Sequence, residues 1–377
     1  MVTMLGSSTG NGNGRRRGYR MSKRIAEVRL ERLSLPLTVP YKLSFGPVTA
    51  FDTVIAEVID RDGRSGFGEA TILTGYTAET IESCWQAMRR LALTMVGETF
   101  AAAKDLTLRH HHDVPFSVTA LVSAVEMLEG HPMLSPEADV QVPLLAILNA
   151  TDEAGIDAEI AGHAANGYKT IKVKVGWELE SDLKRTAFIQ SRLPDDVMIR
   201  IDGNQGYSKE DGLAFATRVD PQKIELLEQP CHMDDWDAAG AIARVSNVPF
   251  MLDESIYGAA EIERAAALGG VSFIKLKLMK AGSIDALVKQ LKLIRDLGMT
   301  PVLGNGVAAD LGCWMECCVA HRMIDNAGEM NGFLKPRQML FAEPMVVENG
   351  AVQLPASRPD FSDHASFIKD TVRIGMA

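Results

Sequence analysis

The sequence predicts an α/β fold, a modified (β/α)8 barrel of the TIM type preceded by an α+β domain. Three observations carry this. From about residue 140, short β-rich runs alternate with amphipathic stretches, the signature of parallel strands with crossover helices. Before that, residues 25–70 alternate with the two-residue period of strands, and residues 77–133 switch to a helical period. Finally, charged residues recur at the ends of successive barrel runs at a nearly constant interval.

The N-terminal domain is expected over residues 25–135. "RIAEVRLERLSLPL", "FDTVIAEVID" and "RSGFGEA" read as an antiparallel meander, with Asp62-Gly63 as a two-residue hairpin turn between the last two. "TAETIESCWQAMRRLALTMVG" and "FSVTALVSAVEMLEG" read as helices, with "RHHHD" between them as a solvated surface. The barrel is expected over residues 136–355. Its eight runs are "VQVPLLAIL", "TIKVKVG", "VMIRIDGN", "KIELLEQP", "PFMLDES", "SFIKLKLM", "TPVLGNG" and "AGEMNG", the last units abbreviated. Residues 356–377 are expected to pack back on the first domain.

Composition narrows the function. Residues 1–24, rich in Gly, Ser and Asn and then basic, predict a disordered tail, with Met21 as an alternative natural start. This tail holds six Lys/Arg and no Asp/Glu, so the rest of the chain carries −16 against −10 for the whole. A body this acidic argues against nucleic acid as a partner. No apolar run reaches a membrane span, which argues against a membrane partner. Five unevenly spaced cysteines give no disulfide framework and fit a cytoplasmic location. Cys313 and Cys317 could share a helix face, but packing explains them better than a metal does.

The run ends carry the chemistry. "TIKVKVG" presents Lys172 and Lys174 on one strand face. The next runs end at Asp202 (with Asn204 beyond), Glu228 and Asp253, and "SFIKLKLM" carries Lys275 and Lys277. Steps of 28, 26, 25 and 24 residues separate Lys174, Asp202, Glu228, Asp253 and Lys277, each about one βα unit. The charges therefore share one level, the C-terminal end where barrel enzymes keep their active sites. Any one of them alone is more often a paired structural charge. Five in phase with the repeat point to catalysis, because burying so much charge without a use is costly.

Three converging carboxylates call for a cation, and an all-oxygen set suits Mg2+, with Mn2+ as a substitute. Such a site suits removal of the weakly acidic proton beside a carboxylate, with the metal stabilising an enediolate. Lys174 is the expected base, its proton affinity lowered by the Lys172 ammonium, and Lys277 serves the opposite face.

These motifs resemble the enolase superfamily, specifically its mandelate racemase/muconate lactonizing enzyme family and the muconate-lactonizing subgroup. The matching residues are K-x-K (Lys172, Lys174), D-x-N (Asp202, Asn204), "EQP" (Glu228), "DES" (Asp253) and "KLMKAGS", which places the catalytic lysine at Lys277 and has Ser283 for the last glycine. The resemblance spans nearly the whole chain from residue 25. It implies a capping domain whose loops, here 40–46 and 70–80, select the substrate, with Tyr41, Lys42 and Tyr76 as candidates. It also implies a homo-oligomer. Strand 7 lacks the histidine of mandelate-racemase-type members, and Ala308 stands where muconate-lactonizing relatives often have Glu. "GEMNG" gives Glu329 and Asn331 where dipeptide epimerases have D-x-D, which makes Glu329 a substrate-side candidate and weakens dipeptide epimerisation. Asn305 sits at the mouth, with a turn role as its alternative.

The favoured activity is racemisation or epimerisation of an amino-acid-like small-molecule carboxylate, which uses both lysines. A muconate-type cycloisomerase or a dehydratase, the latter a lyase, is the alternative. A barrel that binds Mg2+ and a carboxylate without turnover is the alternative of a different class. A phosphate-binding barrel would need a richer glycine loop than "VLGNGVAAD".

Overall fold

The computed structural model of the chain describes residues 23–43, 46–74, 77, 79–136, 140–361 and 365–376. Most of the expected N-terminal tail lies outside these residues.

The N-terminal meander consists of β1 (Ile25–Leu43), β2 (Gly46–Asp60) and β3 (Ser65–Ile72), antiparallel throughout. The β2–β3 turn differs from the two-residue expectation. Asp60 N donates to Arg64 O, so three residues form the loop, and Gly63 takes φ 78°. The Asp60 carboxylate draws this out by accepting the backbone N–H groups of Asp62 and Arg64. Three helices follow: α1 (Ile81–Met95), α2 (Phe100–Leu108) and α3 (Pro115–Glu129). α3 starts with Pro at its first position and stops at left-handed Gly130. It lies so close to β3 that a Cβ at Gly68 would fall 1.8 Å from Ala120 O, which explains the "GFG" spacing.

The barrel follows, with β4 (Val140–Pro143), β5 (Ala146–Leu148), α4 (Glu153–Ala165), β6 (Thr170–Lys174), α5 (Leu179–Arg192), β7 (Met198–Asp202), α6 (Lys209–Arg218) and β8 (Ile224–Glu228). Then come α7 (Trp236–Val245), β9 (Phe250–Leu252), α8 (Ala259–Leu268), β10 (Val271–Leu276), α9 (Leu278–Ala281), α10 (Ile284–Asp296), β11 (Thr300–Leu303) and α11 (Asp310–Met323). β5 to β11 form one parallel, curled seven-stranded sheet in chain order. The eighth run is not a ladder strand. Gly328 and Glu329 close the ring by single bonds: Leu145 N to Gly328 O, Gly328 N to Pro143 O and Glu329 N to Leu303 O. The first run also splits. β4 leaves the barrel to pair antiparallel with β13 (Ala351–Leu354), itself paired with β12 (Val346–Glu348).

Alternation along the strands builds two cores. Ile171, Val173, Ile199, Ile201 and Leu227 face the surrounding helices in the main core. Leu226, Met251 and Val302 form a separate apolar cluster, and Leu226 stands two residues before Glu228 on the same strand face. The chain ends in β14 (Ile368–Gly375), which adds to the N-terminal sheet antiparallel to β1. The architecture is a capped, modified (β/α)8 barrel.

Cap and barrel are joined by carboxylates. Ala309, at the N-cap of α11, has no side-chain acceptor, and Glu69 of β3 supplies one to the N–H groups of Ala309 and Gly312, both at 2.7 Å. Glu126 of α3 does the same for Ile284 and Asp285 at the start of α10. His111, expected in a solvated histidine run, is half-buried, and its Nε2 lies 2.8 Å from Lys280 O on the barrel.

Candidate active site

The strand ends bring most of the sequence-derived candidates into one cluster. Lys172 and Lys174 come from β6, Asp202 closes β7 and Glu228 closes β8. Asp253 lies one residue past β9, Lys277 at the N-cap of α9, and Glu329 on the bridge that closes the ring. Parallel registers Lys174↔Asp202 and Asp202↔Glu228 put neighbours level. Arg200, two residues before Asp202, is occupied by Glu225 and the carbonyl of Ala327.

Ammonium groups stand between the acids. Lys172 Nζ lies 2.8 Å from Asp202 Oδ2, 3.0 Å from Glu228 Oε2 and 2.9 Å from Glu329 Oε2. Lys275 bridges Glu228 at 3.1 Å and Asp253 at 3.5 Å, and also pairs with Glu329. Lys277 meets Asp253 Oδ2 at 2.8 Å. Lys174 Nζ contacts Asp202 Oδ2 at 3.3 Å and Asn204 Oδ1 at 3.1 Å. Its side chain is 28% exposed against 9% for Lys277, so Lys174 is the more open of the two. One pocket is lined by Lys172, Lys174, Lys275 and Lys277 together with Asp202, Asp253 and Glu329. Leu73 reaches it from the cap.

The electrostatics follow from burial and these pairings. Burial disfavours the Asp202 carboxylate, but the ammoniums of Lys172, Lys174 and Lys275 outweigh it and hold the group below its usual range. Asp253 is held lower still, against burial, by Lys277, Lys275 and Lys280. Burial and the adjacent Asp202 push Glu228 up to about 7 despite Lys172 and Lys275. Burial works against the Lys172 ammonium, yet Asp202, Glu228 and Glu329 raise it well above the ordinary lysine value. Lys172 is therefore a fixed cation beside Lys174.

The donor set fits a hard divalent cation. It is all carboxylate oxygen, and buried Asp253 Oδ1 has no hydrogen-bond partner among the described residues. The three acids do not meet at one point here, since buried like charges separate unless cations stand between them, and Lys172 and Lys275 fill that part. Among the described residues, the trio whose ligand atoms all lie within 4.8 Å is Glu126, His131 and Asp285. That trio is occupied by the seam: Glu126 accepts two α10 N–H groups, and the His131 ring meets Asp285 and Met133 N.

The remaining candidates are arranged differently. Asn204, at φ 44°, joins Lys174 to Glu254. Asn305 lines the pocket, but its amide holds both the N–H and the carbonyl of Val307, a turn bond. The side chains of Tyr41 and Lys42, and all of Tyr76, lie outside the described residues. Sequence reasoning left Lys275 unassigned and missed Lys280 and Glu254. Lys280 Nζ donates to Asp253 O at 3.2 Å and sits 4.3 Å over the Tyr257 ring. Its signal was the K-x-x-K spacing from Lys277, one helical turn.

Known proteins share the sequence and fold of this chain in part. The chain is 27% identical over 310 residues to the L-Ala-D/L-Glu epimerase of Bacillus subtilis, covering 77% of this chain and 82% of the relative. It is 26% identical over 325 residues to the N-succinyl-L-Arg/Lys racemase of Bacillus cereus, covering 83% and 88%. Its fold matches the crystal structure of a dipeptide epimerase from Cytophaga hutchinsonii complexed with Mg and D-Ala-L-Val, with TM-score 0.83, 21% identity and coverage of 93% and 100%. It also matches the muconate lactonizing enzyme of Pseudomonas fluorescens complexed with muconolactone, with TM-score 0.83, 22% identity and coverage of 92% and 100%. The family profile described as Enolase C-terminal domain-like matches residues 156–359, which run from the first barrel helix to beyond the last barrel strand. With that match over more than half of the chain, and the capped barrel around it, this protein belongs to the Enolase C-terminal domain-like family, in the mandelate racemase/muconate lactonizing branch of the enolase superfamily.

Proposed function

We propose that the chain is an isomerase that racemises or epimerises an amino-acid-like carboxylate by moving the proton next to that carboxylate. The observation that carries the reading is the placing of two lysines. Lys174 ends β6 and Lys277 follows β10, with β7, β8 and β9 between them, and both line one pocket. The named relatives, epimerases and a racemase, support the same reaction class.

Asp202, Glu228 and Asp253 would hold Mg2+, with Mn2+ as a substitute. When bound, the ion supplies a positive charge against the negative charge that develops on the substrate carboxylate. The chain's own residues do the rest. The Cα–H bond breaks as a neutral lysine, Lys174 or Lys277, takes the proton on its Nζ. The opposite lysine, as ammonium, gives a proton to the other face of the same carbon. Configuration inverts, and the two lysines exchange protonation states. Lys172 remains an ammonium, and Asn204 fixes the direction of the Lys174 side chain.

The test is α-proton exchange in D2O by the Mg2+-loaded protein, with pooled N-substituted amino acids, proline derivatives, dipeptides and hydroxy acids. Mass spectrometry reads deuterium uptake, and chiral separation reads configuration. Uptake with inversion is expected, and it should stop in EDTA. Loss of water would replace this reading with a dehydratase, and silence across the pool would overturn it. Exchange that survives EDTA would remove the metal from the account.

A further inference from the structure

Lys277 stands at the N-cap of α9, a helix of four residues with no side-chain cap, and Gly282 ends it in the left-handed region at φ 84°. A single turn is too short to hold itself, because nucleating a helix costs more than its first hydrogen bond returns. Lys280 N donates to Lys277 O at 3.1 Å, and further bonds of the turn reach outward. On the barrel side, Glu316 accepts Leu278 N at 2.8 Å, and Lys280 Nζ donates to Asp253 O at 3.2 Å.

On the cap side, two residues meet the turn. Thr119 of α3 accepts Gly282 N on its Oγ1 at 3.0 Å, and that hydroxyl also lies 2.7 Å from Pro115 O and 3.2 Å from Met279 O. His111, in the loop between α2 and α3, puts Nε2 2.8 Å from Lys280 O. A carbonyl only accepts, so Nε2 carries the proton and donates. The imidazole also covers Gly282, where a Cβ would fall 2.8 Å from His111 Cδ2. Gly282 is thus clasped between a ring and a hydroxyl of the cap. Thr119 is buried, and within the histidine run His110 and His112 are exposed while His111 is half-buried.

These contacts sit where a small movement matters. Lys277 immediately precedes the turn, and its Nζ lies 2.8 Å from Asp253 Oδ2 in the pocket that also holds Lys174. Glu69 and Glu126 hold the starts of α11 and α10, whereas His111 and Thr119 hold the turn that follows Lys277 directly. Lys174 belongs to β6 and meets Asp202 and Asn204 of the barrel, so the two lysines should respond differently to a loosened cap.

We infer that His111 and Thr119 are positioning residues for Lys277: the cap fixes the α9 turn, and the turn sets where the Nζ of Lys277 stands against the substrate. The capping domain then acts on proton transfer as well as covering the barrel. This rests on the isomerase reading for what Lys277 does, and the clamp itself has a readout that needs no turnover.

The test compares the full-length, Mg2+-loaded parent with His111→Leu, which keeps bulk over Gly282 and loses the donor, and Thr119→Val, which keeps the shape and loses the acceptor. His111→Gln and Thr119→Ser restore the donor and the hydroxyl. The probe is the pool of N-substituted amino acids, proline derivatives, dipeptides and hydroxy acids in D2O, offered as separate L and D sets. In His111→Leu and Thr119→Val, exchange should fall at least about tenfold for the configuration that Lys277→Ala slows more, since misplacing the reacting atoms by about 1 Å costs up to about 10²-fold. The configuration served by Lys174 should stay within about twofold of the parent, and the Gln and Ser variants should recover most of the loss. Amide hydrogen exchange at Gly282 should be at least about fivefold faster in Thr119→Val, the effect of one lost hydrogen bond. Each variant stands alone if the other misfolds. Equal losses for both configurations would mean a merely structural role and overturn the inference, as would parent-like exchange in both variants. An unchanged Gly282 amide would overturn the clamp. A parent inert toward both sets would overturn the isomerase reading, and the Gly282 amide would then decide the clamp alone.

Discussion

Glu69 in the cap–barrel seam and Glu228 at the barrel mouth are both pushed up by burial to about 7, yet they are compensated in opposite ways. Glu69 accepts N–H groups at the start of α11, and its seam neighbour Glu126 does so at the start of α10. These partners are backbone dipoles, fixed for as long as the helices exist. Glu228 is paired with the ammoniums of Lys172 and Lys275, on long side chains that can change partner. The seam buries carboxylates to hold two bodies together. In the proposed isomerase the mouth would bury them where charge can be rearranged as a cation and an anionic substrate bind. Equal shifts therefore do not imply equal roles, and the partner's chemistry separates them.

The largest effect should come from the mouth. Lys174→Ala and Lys277→Ala should each lower α-proton exchange by about 10²- to 10⁴-fold, the range for losing a general acid or base. The melting temperature should stay near that of the parent for Lys174→Ala, whose side chain is 28% exposed, and should fall for Lys277→Ala, which takes the ammonium partner from buried Asp253. Stopped exchange with an unchanged melt in Lys174→Ala would set mouth apart from seam. A variant retaining near-parent exchange would remove that lysine from the reaction.

The seam should behave in reverse. Glu126 is fully buried and satisfies the N–H groups of Ile284 and Asp285 at 2.7 and 3.0 Å. Glu126→Ala leaves the buried Ile284 N–H without an acceptor, at about 1–3 kcal/mol, and the Asp285 N–H, on an exposed residue, to water. Thermal melting should fall by several degrees while kcat per folded molecule holds. Glu126→Gln, which keeps one acceptor oxygen, should lose less. A full melt with a collapsed kcat would mean that the seam takes part in turnover and would erase the contrast.

How much of this could be read in advance depends on range. The repeat from Lys174 through Asp202, Glu228 and Asp253 to Lys277 was legible because each step is one local βα unit with its side chains in a fixed phase. The capped barrel was legible for the same reason. What escaped depends on contacts distant in sequence. β4 leaves the barrel because its partner, β13, lies some two hundred residues on. Ala309 looks like a poor helix start until Glu69 docks on it. His111 reads as solvent-facing until the Lys280 carbonyl arrives.

The smallest effect sharpens the comparison, because Glu316 lies between the two regions. It sits on α11, buried, with Oε1 accepting Leu278 N at 2.8 Å and Oε2 without a partner among the described residues. The charged groups it faces are Lys277 and Lys275 on the mouth side and Glu69 on the seam side. Burial outweighs the lysines and raises Glu316 from 4.5 to about 7. A carboxyl raised on folding favours the protonated native state. Its contribution is fully present below the unfolded value of 4.5 and is lost as pH rises through about 7. A shift of that size corresponds to roughly 3 kcal/mol. Glu316→Gln keeps the acceptor for Leu278 and cannot ionise. Melting curves from pH 5 to pH 8 should therefore fall less steeply in the variant than in the parent, with the difference growing between pH 5 and 7. Parallel curves would mean that Glu316 stays ionised in the fold. Lys277, the mouth-side charge, would then outweigh burial, and Glu316 would belong with the ammonium-paired carboxylates rather than with the seam.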